Sequence, residues 1–228
     1  MRERLDKRVA ARSGRSRSEV VRAIRKGRVT VDGAVVTDPA RPIRDEEVAL
    51  DEVVLAAPPR LAVFHKPFGV HSTLSDDQGR SSLATAASEL VGLGLHPVGR
   101  LDAETTGLLL FSSDGVLTQH LLHPKRALRR IYVARVEGRP AESLKDVLAA
   151  GVKTSDGVFT GDLLELEGDR LVLAVTEGKH RMVRRMLANA GHPVVDLARI
   201  AYGPFQLGDL PDGAWRLPTD EELAALNR

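Results

Sequence analysis

One carboxylate stands out by its setting. Asp102 lies in GRLDAETTGLLLFSSDG, residues 99–115, behind a glycine and an arginine and four residues ahead of Thr106-Gly107. The apolar run Leu108–Phe111 follows, closed by Asp114-Gly115, and suits a buried strand ending in a turn. An acid in a glycine-bracketed loop beside such a strand can be held rigidly and partly out of water, where a carboxylate does chemistry. The same spacing also fits an aspartate that caps a turn through its own backbone bonds. Hydrolysis would need a second carboxylate or a metal to activate water. Glu104 is close in sequence, but nothing places it for that task. His120 and His123 sit one helical turn apart without a third ligand at suitable spacing, so no metal site is expected.

The second chemical feature is charge. Residues 1–30 hold eleven Lys and Arg against Glu3, Asp6 and Glu19, although the whole chain carries only +2. A concentrated basic end on an otherwise acidic chain is the footprint of a polyanion-binding element, unless it is simply a solvated helix face. The absence of cysteine excludes disulfides and thiolate metal sites and suits the cytoplasm. There is no apolar run long enough to span a membrane, and the basic N-terminus lacks the apolar stretch of a secretory signal.

These residues need elements to hold them. Leu5–Ala11 reads as a short helix broken at Ser13-Gly14. Ser16 and Glu19 stand at capping-box spacing, so a second helix starts there and ends at Gly27. Val20, Val21 and Ile24 form its buried stripe, and Arg17, Arg22, Arg25 and Lys26 lie largely off it. Val29–Val31, Asp32-Gly33 and Ala34–Val36 then read as a hairpin with a two-residue turn, and Val48–Leu50 as a further strand. Residues 1–50 thus make a small α/β module, and 51–60, with Pro58-Pro59, a linker. In residues 61–228 strands are expected at Leu61–Phe64, Ile131–Glu137, Leu171–Thr176 and Val194–Ile200. Helices are expected at Ser82–Val91, Gly115–Leu122, Ala141–Ala150 and Met182–Ala190, with a last one capped by Thr219 and Glu222. No βαβ repeat appears, so the fold class is α+β with a larger, mainly antiparallel-sheet second domain.

The stretch RLDKRVAARSGRSRSEVVRAIRKGRVTVDGAVV resembles the alpha-L RNA-binding module shared by a small-subunit ribosomal protein and several RNA-modifying enzymes. Three later stretches, HKPFGVHST (65–73), GRLDAETTGLLLF (99–111) and EGKHRMVRRML (177–187), resemble blocks of the pseudouridine synthases, in the same order. The nearest branch is the RsuA-like group acting on ribosomal RNA. The resemblance implies isomerisation of a uridine: the N1–C1′ bond breaks, the base turns, and C5 bonds to the same sugar carbon. No redox change occurs, so no cofactor is required.

By the family pattern, Asp102 is the anionic group beside C1′ and Arg184 its basic partner. Arg185, the neighbouring rival, points about 100° away on a helix. Tyr132 in RRIYVARV matches the tyrosine lying against the target base, where stacking is worth ~1–3 kcal/mol. Arg100 resembles an arginine that holds the nucleotide whose base has been flipped out. Lys66 and Arg80 are expected at phosphates, and Arg17, Arg22, Arg25 and Lys26 along the RNA backbone. Tyr202 is expected to be structural and Trp215 to lie in the core. Two departures from the family pattern are His65, commonly Asn, and Met182, commonly Gln. The expected partner is ribosomal RNA or a ribosomal-subunit assembly intermediate, met by a monomer. RLDK and EGKH lean toward small-subunit RNA, SDDQGR (75–80) toward large-subunit RNA, and the former is favoured. A non-catalytic RNA-binding protein on the same fold is the alternative to an enzyme.

Overall fold

A computed structural model describes residues 3–56, 58–75 and 79–226. Arg2 of the basic end, Ala57 of the expected linker and Asp76–Gln78 of SDDQGR lie outside them. The described residues form two compact units, one of residues 3–60 with 89–96, the other of residues 61–88 with 97–226. The sequence gives no sign that 89–96 belongs with the first unit. Two short elements, α4 (Ser88–Gly92) and β8 (His96–Pro97), cross the division at its two ends. No described helix is long and apolar enough to cross a membrane.

In the first unit, β1 (Glu3–Arg4) runs into α1 (Leu5–Ser13), which Gly14 closes in the left-handed conformation. The capping box forms as expected: Ser16 and Glu19 satisfy each other's backbone N–H at the start of α2 (Arg17–Arg25). Such a cap contributes ~1 kcal/mol. The stripe contributes more, since Val20 and Ile24 are fully buried and each is worth about 1.5–3 kcal/mol. Asp32 and Gly33, with φ of 49° and 77°, make the two-residue turn between β2 (Val29–Val31) and β3 (Ala34–Val35). Beyond β4 (Pro42–Ile43), β5 (Val48–Leu50) pairs with β2 and continues through a turn into β6 (Val53–Val54). Leu55 packs on the same core. The first half of the expected linker is therefore part of this sheet.

The second unit is built on a sheet with strand order β13-β14-β10-β15-β9-β7-β17. Its strands are β7 (Leu61–Lys66), β9 (Thr105–Ser112), β10 (Arg130–Val136), β13 (Asp162–Glu167), β14 (Arg170–Val175), β15 (Val194–Tyr202) and β17 (Trp215–Arg216), with β16 (Phe205–Gln206) paired to β15. The pairings along this order are antiparallel except β9 with β15. Sequence reading missed β13 and the small hairpin of β11 (Val152–Thr154) and β12 (Gly157–Phe159). The hairpin strands are three residues each, and in β13 a register shift between Leu163 and Glu165 breaks the apolar–polar alternation that marks a strand. Around the sheet lie α3 (Leu83–Ala86), α5 (Gly115–Leu122), α6 (Leu144–Ala150), α7 (Met182–Asn189) and α8 (Asp220–Leu226). Trp215 is half-buried at the sheet edge opposite Phe64 rather than in the core.

Strand β9 begins earlier than the apolar run suggests, because Gly107 lets it lie against β15. A Cβ on Gly107 would sit 2.2 Å from the Arg199 carbonyl oxygen, so only glycine permits this parallel pairing. The pairing sets the end of β9, and with it the loop that carries Asp102.

Candidate active site

Each peptide around Asp102 is pinned. Ser72 Oγ accepts from Leu101 N–H at 3.1 Å and donates to Leu101 O at 2.6 Å. Ala103 O accepts from Gly69 N–H at 2.8 Å and from Lys66 Nζ at 3.3 Å. Glu104 O accepts from Arg184 Nη2 at 2.8 Å. Asp102 O itself accepts from Thr105 N–H at 3.0 Å, so the turn closes through the main chain. The Asp102 carboxylate, half-buried at the centre of these bonds, makes no hydrogen bond or ion pair among the described residues. It does not cap the turn.

Lys66 is not a phosphate contact. Its side chain is fully buried, and its ammonium donates to Pro67 O and Val70 O at 2.8 Å besides Ala103 O. All three N–H bonds serve the loops flanking Asp102. Burial pulls this lysine down to about 8, against the opposing pull of Asp102. Arg80 is exposed and does not line the cleft described next.

Asp102 opens on a cleft of about 260 Å³ that Tyr132, Arg184 and Arg100 also line. Tyr132 is 7% exposed on β10, and Arg100 is exposed. On α7, Arg184 faces the cleft while Arg185 turns away to Asp156. Arg184 and Asp102 form no ion pair, because the Arg184 Nη atoms go to the Glu104 and Val194 carbonyls. Burial pushes the Arg184 guanidinium below the ordinary arginine range. Glu104 opposes that push, Arg181 adds to it, and Asp102 opposes it more weakly. The expected counter-charge therefore shares the cleft and acts through space, and its direct contact is with the peptide beside Asp102.

The cleft also holds residues the sequence did not announce. Arg130 and Arg199 are both buried, on β10 and β15. Tyr132 stands opposite Arg199, and Arg130 opposite Tyr202. Between these pairs the register shifts by one residue. Three apart on a regular strand, Arg199 and Tyr202 would face opposite sides; the bulge brings both to the cleft. The Arg130 and Arg199 guanidinium carbons lie 4.8 and 5.1 Å from the centre of the Tyr202 ring. Tyr202 donates to Leu121 O at 2.9 Å, so it is structural, as expected, and also supports two cations. The available signal was arginine at an inward position of an alternating strand: Arg130 shares the parity of Tyr132, Ala134 and Val136.

The two departures are accommodated locally. His65 donates from Nδ1 to Leu210 O at 2.7 Å and meets Asp212 at 2.8 Å through Nε2, tying β7 to the loop before β17. Met182 is 4% exposed and packs at the start of α7.

In the first unit, Arg17, Arg22, Arg25 and Lys26 are all exposed on α2 or at its end. Arg17 is committed to Asp6, which Arg4 and then Arg17 hold below the usual carboxylate range. Arg22, Arg25 and Lys26 form no ion pair among the described residues, and Arg22 and Lys26 share a shallow hollow with Arg15 and Arg28.

Known proteins resemble this chain in sequence and fold. Residues 60–189 match the family model described as RNA pseudouridylate synthase, and residues 3–48 match the S4 domain. An uncharacterized RNA pseudouridine synthase of Mycobacterium bovis is 37% identical over 92% of this chain and 87% of its own. Ribosomal large subunit pseudouridine synthase B of Salmonella typhimurium is 35% identical over 100% of this chain and 82% of its own. The protein of the same name from Bacillus subtilis is 33% identical over 98% and 95%. A crystal structure of a pseudouridylate synthase superposes with a TM-score of 0.68 at 26% identity, over 98% of this chain and 99% of that one. With an S4 domain ahead of it, the domain that holds the cleft makes this chain a member of the RNA pseudouridylate synthase family.

Proposed function

We propose that this enzyme isomerises a uridine of large-subunit ribosomal RNA, with Asp102 acting at C1′ and Tyr132 beneath the flipped base. Arg184 orders the Asp102 loop and supplies positive potential, and Arg100 holds the extruded nucleotide. The observation that carries this reading is the cleft itself. It gathers Tyr132, Arg184 and Arg100 around a carboxylate whose neighbouring peptides are all fixed and whose own oxygens are unengaged. A carboxylate kept free in that way is available to a sugar carbon, and a binding-only protein has no use for it. A flipped base loses its stacking, and Tyr132 returns ~1–3 kcal/mol of it.

The choice of subunit rests on the relatives named large-subunit synthases, and it reverses the small-subunit preference drawn from RLDK and EGKH. The exposed cations of α2 supply general affinity for the RNA, as free strand or as part of an assembling subunit, and a monomer suffices. Unmodified transcripts of both ribosomal RNAs, incubated with the protein and mapped for pseudouridine, test the reading. Product at one site of the large-subunit RNA is expected. Product confined to the small-subunit RNA would restore the other assignment, and no product in either would contradict the reading.

A further inference from the structure

Arg199 is a buried charge without a counter-ion. It is 3% exposed, and its Nε donates to Leu108 O at 2.8 Å. Its Nη2 is buried with no partner, and no carboxylate pairs with it among the described residues. Its neighbour over the Tyr202 ring is a second cation, Arg130, which is satisfied by Leu128 O, Thr176 O and Tyr202 Oη. Desolvating a guanidinium and placing it beside another is costly, and packing alone does not require it, since an apolar side chain would fill the same space. A fixed, under-used cation beside a ligand cleft has a use when negative charge develops there.

The register says where that charge would be. Arg199 stands directly opposite Tyr132, which puts the two Cβ atoms roughly 4.5–5.5 Å apart, and both line the cleft with Asp102. A base lying on Tyr132 would present its edge on the side of the cleft that Arg199 lines. Resting on the reading of this cleft as the uridine site, we propose that Arg199 donates to a carbonyl oxygen of the flipped uracil and stabilises the charge the base acquires as it leaves the sugar.

The N1–C1′ bond breaks heterolytically, and its electron pair stays on the base, spread over N1, O2 and O4. C5 of the turned base then supplies the pair for the new C5–C1′ bond. The proton on C5 goes to solvent, and N1 of the product takes one from solvent, so no oxidant or reductant enters. The departing base carries this charge whether Asp102 bonds to C1′ or acts on the sugar by another route. No protein acid is then needed at the base, because a fixed cation lowers the cost of the anion directly.

The test uses large-subunit ribosomal RNA transcribed with uridine or with 5-fluorouridine, whose fluorine makes the base a better leaving group. Single-turnover loss of the target nucleoside is followed for the full-length wild type, Arg199→Gln and Arg199→Lys, with thermal melts to report folding. Arg199→Gln is expected to slow uridine turnover on the order of 100-fold and to lose much less on 5-fluorouridine. Arg199→Lys, which keeps a cation, should fall between. Equal deficits on the two RNAs at an unchanged melting temperature would overturn the proposal, as would a wild-type rate for Arg199→Gln. If Arg199→Gln does not fold, the same comparison is made with Arg199→Lys: a smaller deficit on 5-fluorouridine supports the proposal, and equal deficits overturn it. A wild-type protein that turns over neither RNA would instead overturn the reading of the cleft.

Discussion

The two units use the same side chain in opposite ways. On α2 the arginines stand in water on the outside of a helix, and Arg22 and Arg25 have no fixed partner among the described residues. In the cleft, Arg130 and Arg199 are buried on strands and held by carbonyls and a tyrosine ring. Exposed cations keep their hydration and their freedom, so they attract a polyanion over a Debye length and yield to salt. Buried cations have already lost their water. They act at short range, with a geometry set by strand register, on whatever charge appears beside them. One region is suited to affinity, and the other to chemistry.

Lys66 gives the larger effect by which this division can be broken. If it is an internal brace, Lys66→Met removes the ammonium donor from Pro67 O, Val70 O and Ala103 O, of which Ala103 O keeps Gly69 N–H, and destabilises the fold by ~2–4 kcal/mol, while the salt dependence of RNA binding does not change. Its titration adds a sign. The folded lysine sits at about 8 and the unfolded one near 10.5. Between those values the unfolded chain holds the proton that the folded chain has released. Stability from this group therefore rises with pH across that window, and denaturant melts should show the rise in the wild type and lose it in Lys66→Met. A changed salt slope in that variant would place Lys66 at a phosphate after all.

The smaller effect comes from α2. Replacing Arg22, Arg25 and Lys26 together by Gln should move stability by less than ~1 kcal/mol, since exposed polar changes are tolerated. The slope of log affinity against log salt should fall by about 0.7–0.9 for each phosphate that these cations no longer neutralise. Turnover at saturating RNA should be unchanged. Filter binding across a salt series, paired with single-turnover assays, reads both quantities; a slope identical to the wild type would remove α2 from the RNA interface.

The same contrast marks what was legible in the sequence. Local rules carried the first unit well. Ser16 with Glu19, Asp32-Gly33 and the stripe on α2 each specify an element within a few residues, and each formed, although Ala23 rather than Val21 is buried beside Val20 and Ile24. The Asp102 loop and the arginine side of α7 were legible through their resemblance to the family blocks. Register was not. That Arg199 faces Tyr132 depends on the antiparallel pairing of β10 with β15 and its one-residue bulge, and that Gly107 must touch the Arg199 backbone depends on a parallel pairing between strands about ninety residues apart. Lys66 was expected at a phosphate for a similar reason: its ammonium is enclosed by Pro67 O and Val70 O of the turn that follows it and by Ala103 O of the distant Asp102 loop, and the meeting of those two loops is a tertiary fact.

The central claim is that an unengaged carboxylate, held by a rigid loop, does the chemistry that the exposed cations only supply with RNA. Asp102→Asn tests it most directly, because the change is isosteric and the loop is held by main-chain bonds that the side chain does not make. Large-subunit ribosomal RNA is bound and assayed for pseudouridine with this variant beside the wild type. The account predicts RNA affinity within about twofold of the wild type, a ~0.4 kcal/mol margin, and no detectable pseudouridine. Pseudouridine formed at the wild-type rate by Asp102→Asn would contradict it.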